Sequence, residues 1–412
     1  MEIRSITLLG TFAFLALIHT GNARDLRNVT EPKAPQTCKS LKASGSDDSE
    51  AIKNALDSCA KGKAVALSAG VFYSGPLTIP SGVSLLVEKG ATLKAIPNPT
   101  LYDLGAKTCG TLDEYGVGCK AFITMHEANG SGIYGKGTID GQANVTMTGK
   151  NMTWWELSDA ALVKGNYQNN PRLIQINNSL EITLHQITLI NSPFYTVATS
   201  ETYGFTVWGV TIYAPESARN TDGIDPIGSQ NVTIAHCNIS NGDDNVAIKA
   251  MTAPSRHISV LNNHFHKGRG MSIGSEVNYG ASDVFVSGLT VHDTVNGVHI
   301  KSNTFRGGHV VNISYENICM RNVQHPIYLE MTYMNLHGNR TPEFRNINFN
   351  NIKVLTKGTY IVHGISKSNP VHVTLNNVHI TKGSQFSESF ADITGKFLED
   401  VSGGDCAYSG NA

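Results

Sequence analysis

Ser179-Leu180-Glu181-Ile182-Thr183-Leu184-His185-Gln186-Ile187-Thr188-Leu189 is the stretch on which the fold turns. Ile182 and Leu184 alternate with polar residues, as do Ile187 and Leu189, and two residues separate the pairs. Period-2 alternation reads as a short half-buried strand, so the unit is a strand, a corner and a second strand. The same unit returns as Phe205, Val207, Val210, Ile212, then Val232, Ile234, Cys237, Ile239, then Ile258, Val260, Asn263, Phe265. It continues as Val284, Val286, Leu289, Val291, then Ile313, Tyr315, Ile318, Met320, then Ile347, Phe349, Ile352, Val354, and finally Val373, Leu375, Val378, Ile380. Successive starts lie 23, 27, 26, 26, 29, 34 and 26 residues apart. A βαβ unit needs a helical pattern between strands, and these intervals hold Gly, Asn and Pro instead. A propeller blade needs about 40 residues. The remaining solution is an all-β solenoid, a right-handed parallel β-helix whose coils stack around a dry apolar interior. Asn pairs at 262-263, 350-351 and 376-377 suit corners that need left-handed backbone or side-chain hydrogen bonds.

Outside the repeats, Ser46 to Ala60 has an acidic first turn and places Ile52, Leu56 and Cys59 on one face, an amphipathic helix suited to capping the N-terminal end of the solenoid. Residues 390–412 are expected over the other end, pinned by Cys406. Residues 1–23 read as a secretory signal peptide, with an apolar run from Ile6 to Ile18 and small residues at Gly21 and Ala23. That run is short for a membrane span, so no membrane association is expected after cleavage. Residues 24–412 show no linker or composition break and are read as one domain. Seven cysteines without metal-binding spacing suit an oxidising compartment. Cys38 with Cys59 and Cys109 with Cys119 are the close-spaced pairs, and Cys237, on an inward repeat position, is the buried thiol. Sequons at Asn28, Asn129, Asn144, Asn151, Asn177, Asn231, Asn238, Asn312 and Asn339 fit export. Lys+Arg 32 against Asp+Glu 33 leaves a net charge of −1, which excludes a strongly basic nucleic-acid binder. A monomer is expected.

The chemistry lies in two acidic turns of successive coils, Asn220-Thr221-Asp222-Gly223-Ile224-Asp225 and Asn241-Gly242-Asp243-Asp244-Asn245. Stacked coils set Asp222 beside Asp243 and Asp244. Crowded carboxylates raise one pKa, giving a protonated acid beside an ionised base, as glycosidic cleavage requires. No dense carboxylate loop of the kind calcium needs is present, and neither a metal nor a cofactor is expected.

These turns, with Gly268-Arg269-Gly270-Met271-Ser272-Ile273-Gly274-Ser275 and His299-Ile300-Lys301, resemble the polygalacturonase family of pectin-degrading glycoside hydrolases, glycosyl hydrolase family 28. The resemblance extends from about Lys42 to beyond Tyr333. It implies inverting hydrolysis of α-1,4-linked galacturonate in pectin, with Asp243 as general acid and Asp222 and Asp244 activating water. Inversion implies carboxyls roughly 6.5–9.5 Å apart. Lys301 and Tyr333 would contact substrate, and Asn220 would hold its turn. Two positions depart from the pattern: Arg269 stands where the family has His, and His299 where it has Arg. A guanidinium beside Asp243 favours the ionised carboxylate, so an impaired relative that binds pectin or a cell-wall partner is the alternative. A working exchange of the two residues is the counter-reading. Trp154 and Trp155 either rim the groove or pack structurally.

Overall fold

The computed structural model describes residues 24–406; the leader expected over 1–23 and the last six residues lie outside them. From the first repeat to residue 292 each coil gives two strands to a large parallel sheet; the next three coils give it one long strand each, His309–Arg321, Glu343–Val354 and Val371–Thr381, and a second parallel sheet has eleven strands. The repeat register is the observed one: Ile182, Phe205, Val232, Ile258, Val284, Ile313, Ile347 and Val373 pair in sequence along one column. All eight are buried. Leu189, Ile212, Ile239, Phe265, Val291, Met320 and Val354 form a second buried column. Burial of each such side chain contributes roughly 1.5–3 kcal/mol, summed coil by coil.

The corners carry the expected backbone. Gln186, His236, Asn262, Asn317, Asn351 and Asn377, each just before the third apolar position, have φ between 53° and 58°. Asn317, Asn351 and Asn377 link by side-chain amides at 2.7 and 3.1 Å. Asn263, inward among apolar residues, is hydrogen-bonded on both polar atoms: its Oδ1 accepts from the Cys237 N–H at 2.8 Å and its Nδ2 donates to the Ile234 carbonyl at 2.9 Å.

The expected first helix is α1 (Ser49–Ser58), which buries Ile52, Ala55 and Leu56. Its start falls later than Ser46 because the Asp48 carboxylate accepts from the N–H groups of Ser44 and Tyr73, tying the preceding loop down. Cys59 adopts extended backbone and leaves the helix. A short α2 (Pro99–Tyr102) precedes α3 (Trp154–Lys164), which the sequence reading did not identify although Thr153 and Glu156 form a reciprocal capping box. Trp154 is buried edge-on to Tyr102, and the Trp155 indole donates to the Ser192 carbonyl at 3.0 Å, so both tryptophans pack. Disulfides join Cys38–Cys59, Cys109–Cys119 and Cys319–Cys406, and Cys237 is the buried thiol, its pKa pushed up to about 12 by burial. The C-terminal strands Ala391–Thr394 and Phe397–Val401 pair with Val371–Thr381.

Residues ahead of the first strand form a strap over the large sheet. Arg24 sits 3.9 Å above the Phe285 ring, and Asp25 contacts Ser259 and Thr233. The Leu26 N–H donates to Asn231, Arg27 pairs with Glu181 and donates to the Phe205 carbonyl, and Glu31 lies 3.3 Å from His185. The strap thus crosses five coils. The sequon residue Asn231 is buried beneath it.

Candidate active site

The two acidic turns stack because glycine permits it. A Cβ at Gly242 would lie 2.1 Å from the Ala218 carbonyl oxygen, and one at Gly223 would lie 2.3 Å from that of Asn245. Side chains then lock the turns together. The Asn241 amide donates to the carbonyls of Thr221 and Asp244, both at 2.9 Å, and the Thr221 hydroxyl accepts from the Gly242 N–H at 3.0 Å. Asn245 bridges onward, accepting from the Gly270 N–H at 2.8 Å. Asn220, at φ 57°, accepts from Gln168 at 3.0 Å and points its amide toward Asp243 at 3.4 Å.

One carboxylate oxygen each from Asp222, Asp243 and Asp244 lies within 4.8 Å of the other two. Stacking of successive coils at the strand spacing of a sheet brings the three acids this close. Asp222 and Asp244 are buried, whereas the Asp243 side chain is 13% exposed and meets solvent. Lys301 is buried with its Nζ 2.8 Å from Asp244 Oδ2, so its charge is taken up within the protein; Ser272 donates to Asp244 Oδ1 at 2.7 Å. Tyr333 lies beside it, its ring 5.5 Å from the Lys301 ammonium. His299 is buried, stacked on Tyr328 at 4.5 Å, and edge-on to Tyr333 at 5.9 Å. Burial, reinforced by Lys301 and Arg269, holds its imidazole well below the usual histidine range. Arg269 is half exposed with Nε 3.7 Å from Asp243 Oδ1, and that carboxylate raises the guanidinium pKa further. In the register His299 pairs with Ser272, not Arg269, yet Arg269 bears electrostatically on His299 from the neighbouring coil.

Sequence reasoning missed Lys249. This buried ammonium sits 3.1 Å from Asp222 Oδ2 and 2.8 Å from Asp225 Oδ2, with the Tyr195 ring 4.1 Å away. Its signal was a lone lysine ending the apolar run Val246-Ala247-Ile248, one coil after Asp225. Asp222, Asp225, Asp243 and Asp244 face three cations, Lys249, Lys301 and Arg269. Asp222 and Asp225 share the one ammonium of Lys249, and Arg172 bears on Asp225 from further off. Burial pushes Asp225 up to about 6 against the pull of Lys249. Burial, aided by Asp225, Asp243 and Asp244, drives Asp222 well above the usual range, again against Lys249. Lys249 itself stays an ammonium, its pKa raised because the two carboxyls outweigh burial. A divalent cation at the three acids would compete with ammonium groups already on Asp222 and Asp244.

Residues 68–396 match the family described as Glycosyl hydrolases family 28. The chain is 48% identical to an endo-polygalacturonase of Pectobacterium carotovorum subsp. carotovorum, over 92% of this chain and 94% of that protein. It is 38% identical to a polygalacturonase of Ralstonia solanacearum, over 85% of this chain and 79% of that one. The solved polygalacturonase from Erwinia carotovora ssp. carotovora superposes with a TM-score of 0.87 at 45% identity, covering 90% of this chain and all of that one. A parallel β-helix that carries these stacked acidic turns, and is this similar to such relatives, belongs to glycosyl hydrolases family 28, the polygalacturonase family.

Proposed function

We propose that the protein is a secreted, monomeric, single-domain enzyme that hydrolyses the α-1,4 linkage between galacturonate residues of pectin. The convergence of three carboxylates against two buried ammonium groups carries this reading. Asp243, the carboxyl that meets solvent, donates its proton to the leaving oxygen. Asp222 and Asp244 hold and activate the attacking water. Both Asp244 oxygens are engaged, by Ser272 and Lys301, which fixes the carboxylate and disfavours direct attack by it. Asp222 Oδ1 is buried and has no hydrogen-bond partner among the described residues, so it is available to accept from water. Water donating to two oxygens at about 2.8 Å each spans up to about 5.6 Å, and the three acids bring oxygens within 4.8 Å of one another. Activated water rather than a covalent intermediate means inversion. Lys301 supports this by holding Asp244 in place at 2.8 Å, and together with Tyr333 it forms the wall that a substrate carboxylate approaches. No cofactor enters these steps.

Purified protein should release reducing ends from polygalacturonic acid, with Asp243→Asn as background. Proton NMR of the first product should show the β-anomer; an initial α-anomer would refute inversion.

One observation favours a second reading, a pectin-binding relative with weakened catalysis: Arg269 lies 3.7 Å from Asp243. In that case the double change Arg269→His with His299→Arg raises turnover well above wild type. If the pair is a working exchange, either single change damages turnover and the double change recovers part of the loss, as coupled neighbours do.

A further inference from the structure

We infer that Lys249 and Asp225 are positioning residues for the hydrolytic step: Lys249 fixes which oxygen of Asp222 faces the attacking water, and Asp225, by claiming part of the same ammonium, sets how far into acid the step runs. The inference rests on the reading of Asp222 as a water-activating carboxylate and deepens it with two groups set behind that carboxylate.

The fold holds the three side chains together. Asp222 lies in the turn before the strand Ile224–Ile227, and Asp225 lies on that strand. Lys249 follows the strand Val246–Ile248 of the next coil, where its N–H donates to the Pro226 carbonyl at 2.9 Å and its own carbonyl accepts from the Gly228 N–H at 2.9 Å. Its backbone is therefore locked beside the strand that carries Asp225, and its ammonium reaches both carboxyls, Asp222 Oδ2 at 3.1 Å and Asp225 Oδ2 at 2.8 Å. The Tyr195 ring closes a further side, 4.1 Å from the ammonium. Asp225 pairs in register with Ala198, and its own side chain is 0% exposed. It meets neither sugar nor bulk water, so it acts on the reaction only through its charge and through Lys249.

A carboxyl turns easily about its last torsion, so one pin decides which oxygen it presents. Among the described residues Asp222 takes a side-chain hydrogen bond from Lys249 alone, at Oδ2, and Oδ1 is the oxygen left for water. Asp225 is held in the same way, its Oδ1 also without a partner among them. Two carboxyls thus share one ammonium. Neighbours coupled this tightly titrate as a unit, and the first proton they take up belongs to the pair. Whenever it rests on Asp222, that residue cannot accept a proton from water. The other charged or titratable groups that bear on the trio are Tyr195, Glu276, Arg172, Arg269, Asp243 and Asp244. Burial strengthens the hold of Asp222 on a proton, Lys249 opposes it, and Asp225, Asp243 and Asp244 add to it. Of these three acids only Asp225 stands outside the proposed chemistry, so its charge can be removed with the proton donor and the water site left in place.

The test is the pH profile of kcat/KM on polygalacturonate from about pH 3 to 7, whose acid limb reports ionisation of the base in the free enzyme. One substrate serves every variant, so its own titration cancels. Asp225→Asn keeps the shape and leaves the ammonium to Asp222 alone; the acid limb should move down by about one pH unit, a tenfold weaker hold on the proton. Lys249→Met removes pin and counter-charge together, so the limb should move up by about one unit or more, and the plateau kcat should fall about tenfold as the carboxyl loses its orientation. Lys249→Arg keeps a cation in place and should recover part of both losses. Asp225→Asn preserves the Lys249–Asp222 pair and decides the outcome even where Lys249→Met does not fold. Superimposable limbs for Asp225→Asn and wild type, or limbs that move the same way for Asp225→Asn and Lys249→Met, would overturn the positioning roles and leave the hydrolase reading standing. If Asp222→Asn cleaves as fast as wild type, the reading of Asp222 itself fails and the positioning roles fail with it.

Discussion

Lys249 neutralises two buried carboxyls at once, so its removal is severe. Lys249→Met leaves Asp222 and Asp225 without a cation, and breaking a buried pair from one side costs about 3–5 kcal/mol. Urea unfolding at pH 8 should show that loss, and it should shrink at pH 4, where the orphaned carboxyls take up protons. Asp225 sets a pH dependence of its own. Its native pKa of about 6 lies above the unfolded value, so the native state binds the extra proton. Its contribution to stability is complete below about pH 4 and is lost as pH rises through 6. Unfolding free energy measured from pH 4 to 7 should fall less steeply for Asp225→Asn; an unchanged slope would refute the assignment. At the chemical step, Asp243→Asn should lower kcat by about 10²–10⁴-fold while leaving the urea midpoint nearly unchanged. The acids were legible as a motif because their turns recur one coil apart. Lys249 was not: a lysine after Val-Ala-Ile looks like a strand end, and only the register reveals that it faces Asp222 and Asp225. Burial of Lys301 was equally hidden, since its match to a family motif says nothing of its ion pair with Asp244.

The corner is the element that sequence described best. Asn351 sits at φ 55° with its amide in the ladder to Asn317 and Asn377. Asn351→Val places a β-branched residue in left-handed backbone and removes the ladder, an expected loss of about 1–3 kcal/mol. Asn351→Gly removes the ladder alone, and its loss should be clearly smaller by thermal and urea unfolding. The strands were readable because apolar positions repeat at fixed offsets, down to Ile182, Phe205, Val232, Ile258 and Val284 in one buried column. The first helix was readable in place but not in its start, which depends on long-range bonds from Asp48. We propose that α1 caps the N-terminal end of the solenoid, given that Ile52, Ala55 and Leu56 join the continuous core. Ahead of residue 179 the eight-fold pattern is missing, and α3 went unseen there despite its capping box.

Coils hold only their neighbours, so stability is a sum along one axis unless something spans it. Cys319–Cys406 does so for the final coils, closing a separation of 87 residues. Replacing both cysteines by serine should lower unfolding free energy by about 4–5 kcal/mol on chain-entropy grounds, with limited proteolysis cutting first among residues 385–406. The N-terminal strap spans five coils in the middle of the molecule, from Glu181 to Phe285. Deleting residues 24–31 should lower Tm by several degrees, since it removes the ion pair to Glu181, the Asp25 contacts and the Arg24–Phe285 stack together. The strap also fixes where attachments emerge. Because Arg24 rests against Phe285, a reporter or anchor fused upstream would leave the molecule from the side of the barrel and not from its tip. The acids lie in the turns that lead into the other sheet, at Ile224 and Val246, so such a tether could fasten the protein to a bead or a cell surface with its acidic turns still open to a long polymer.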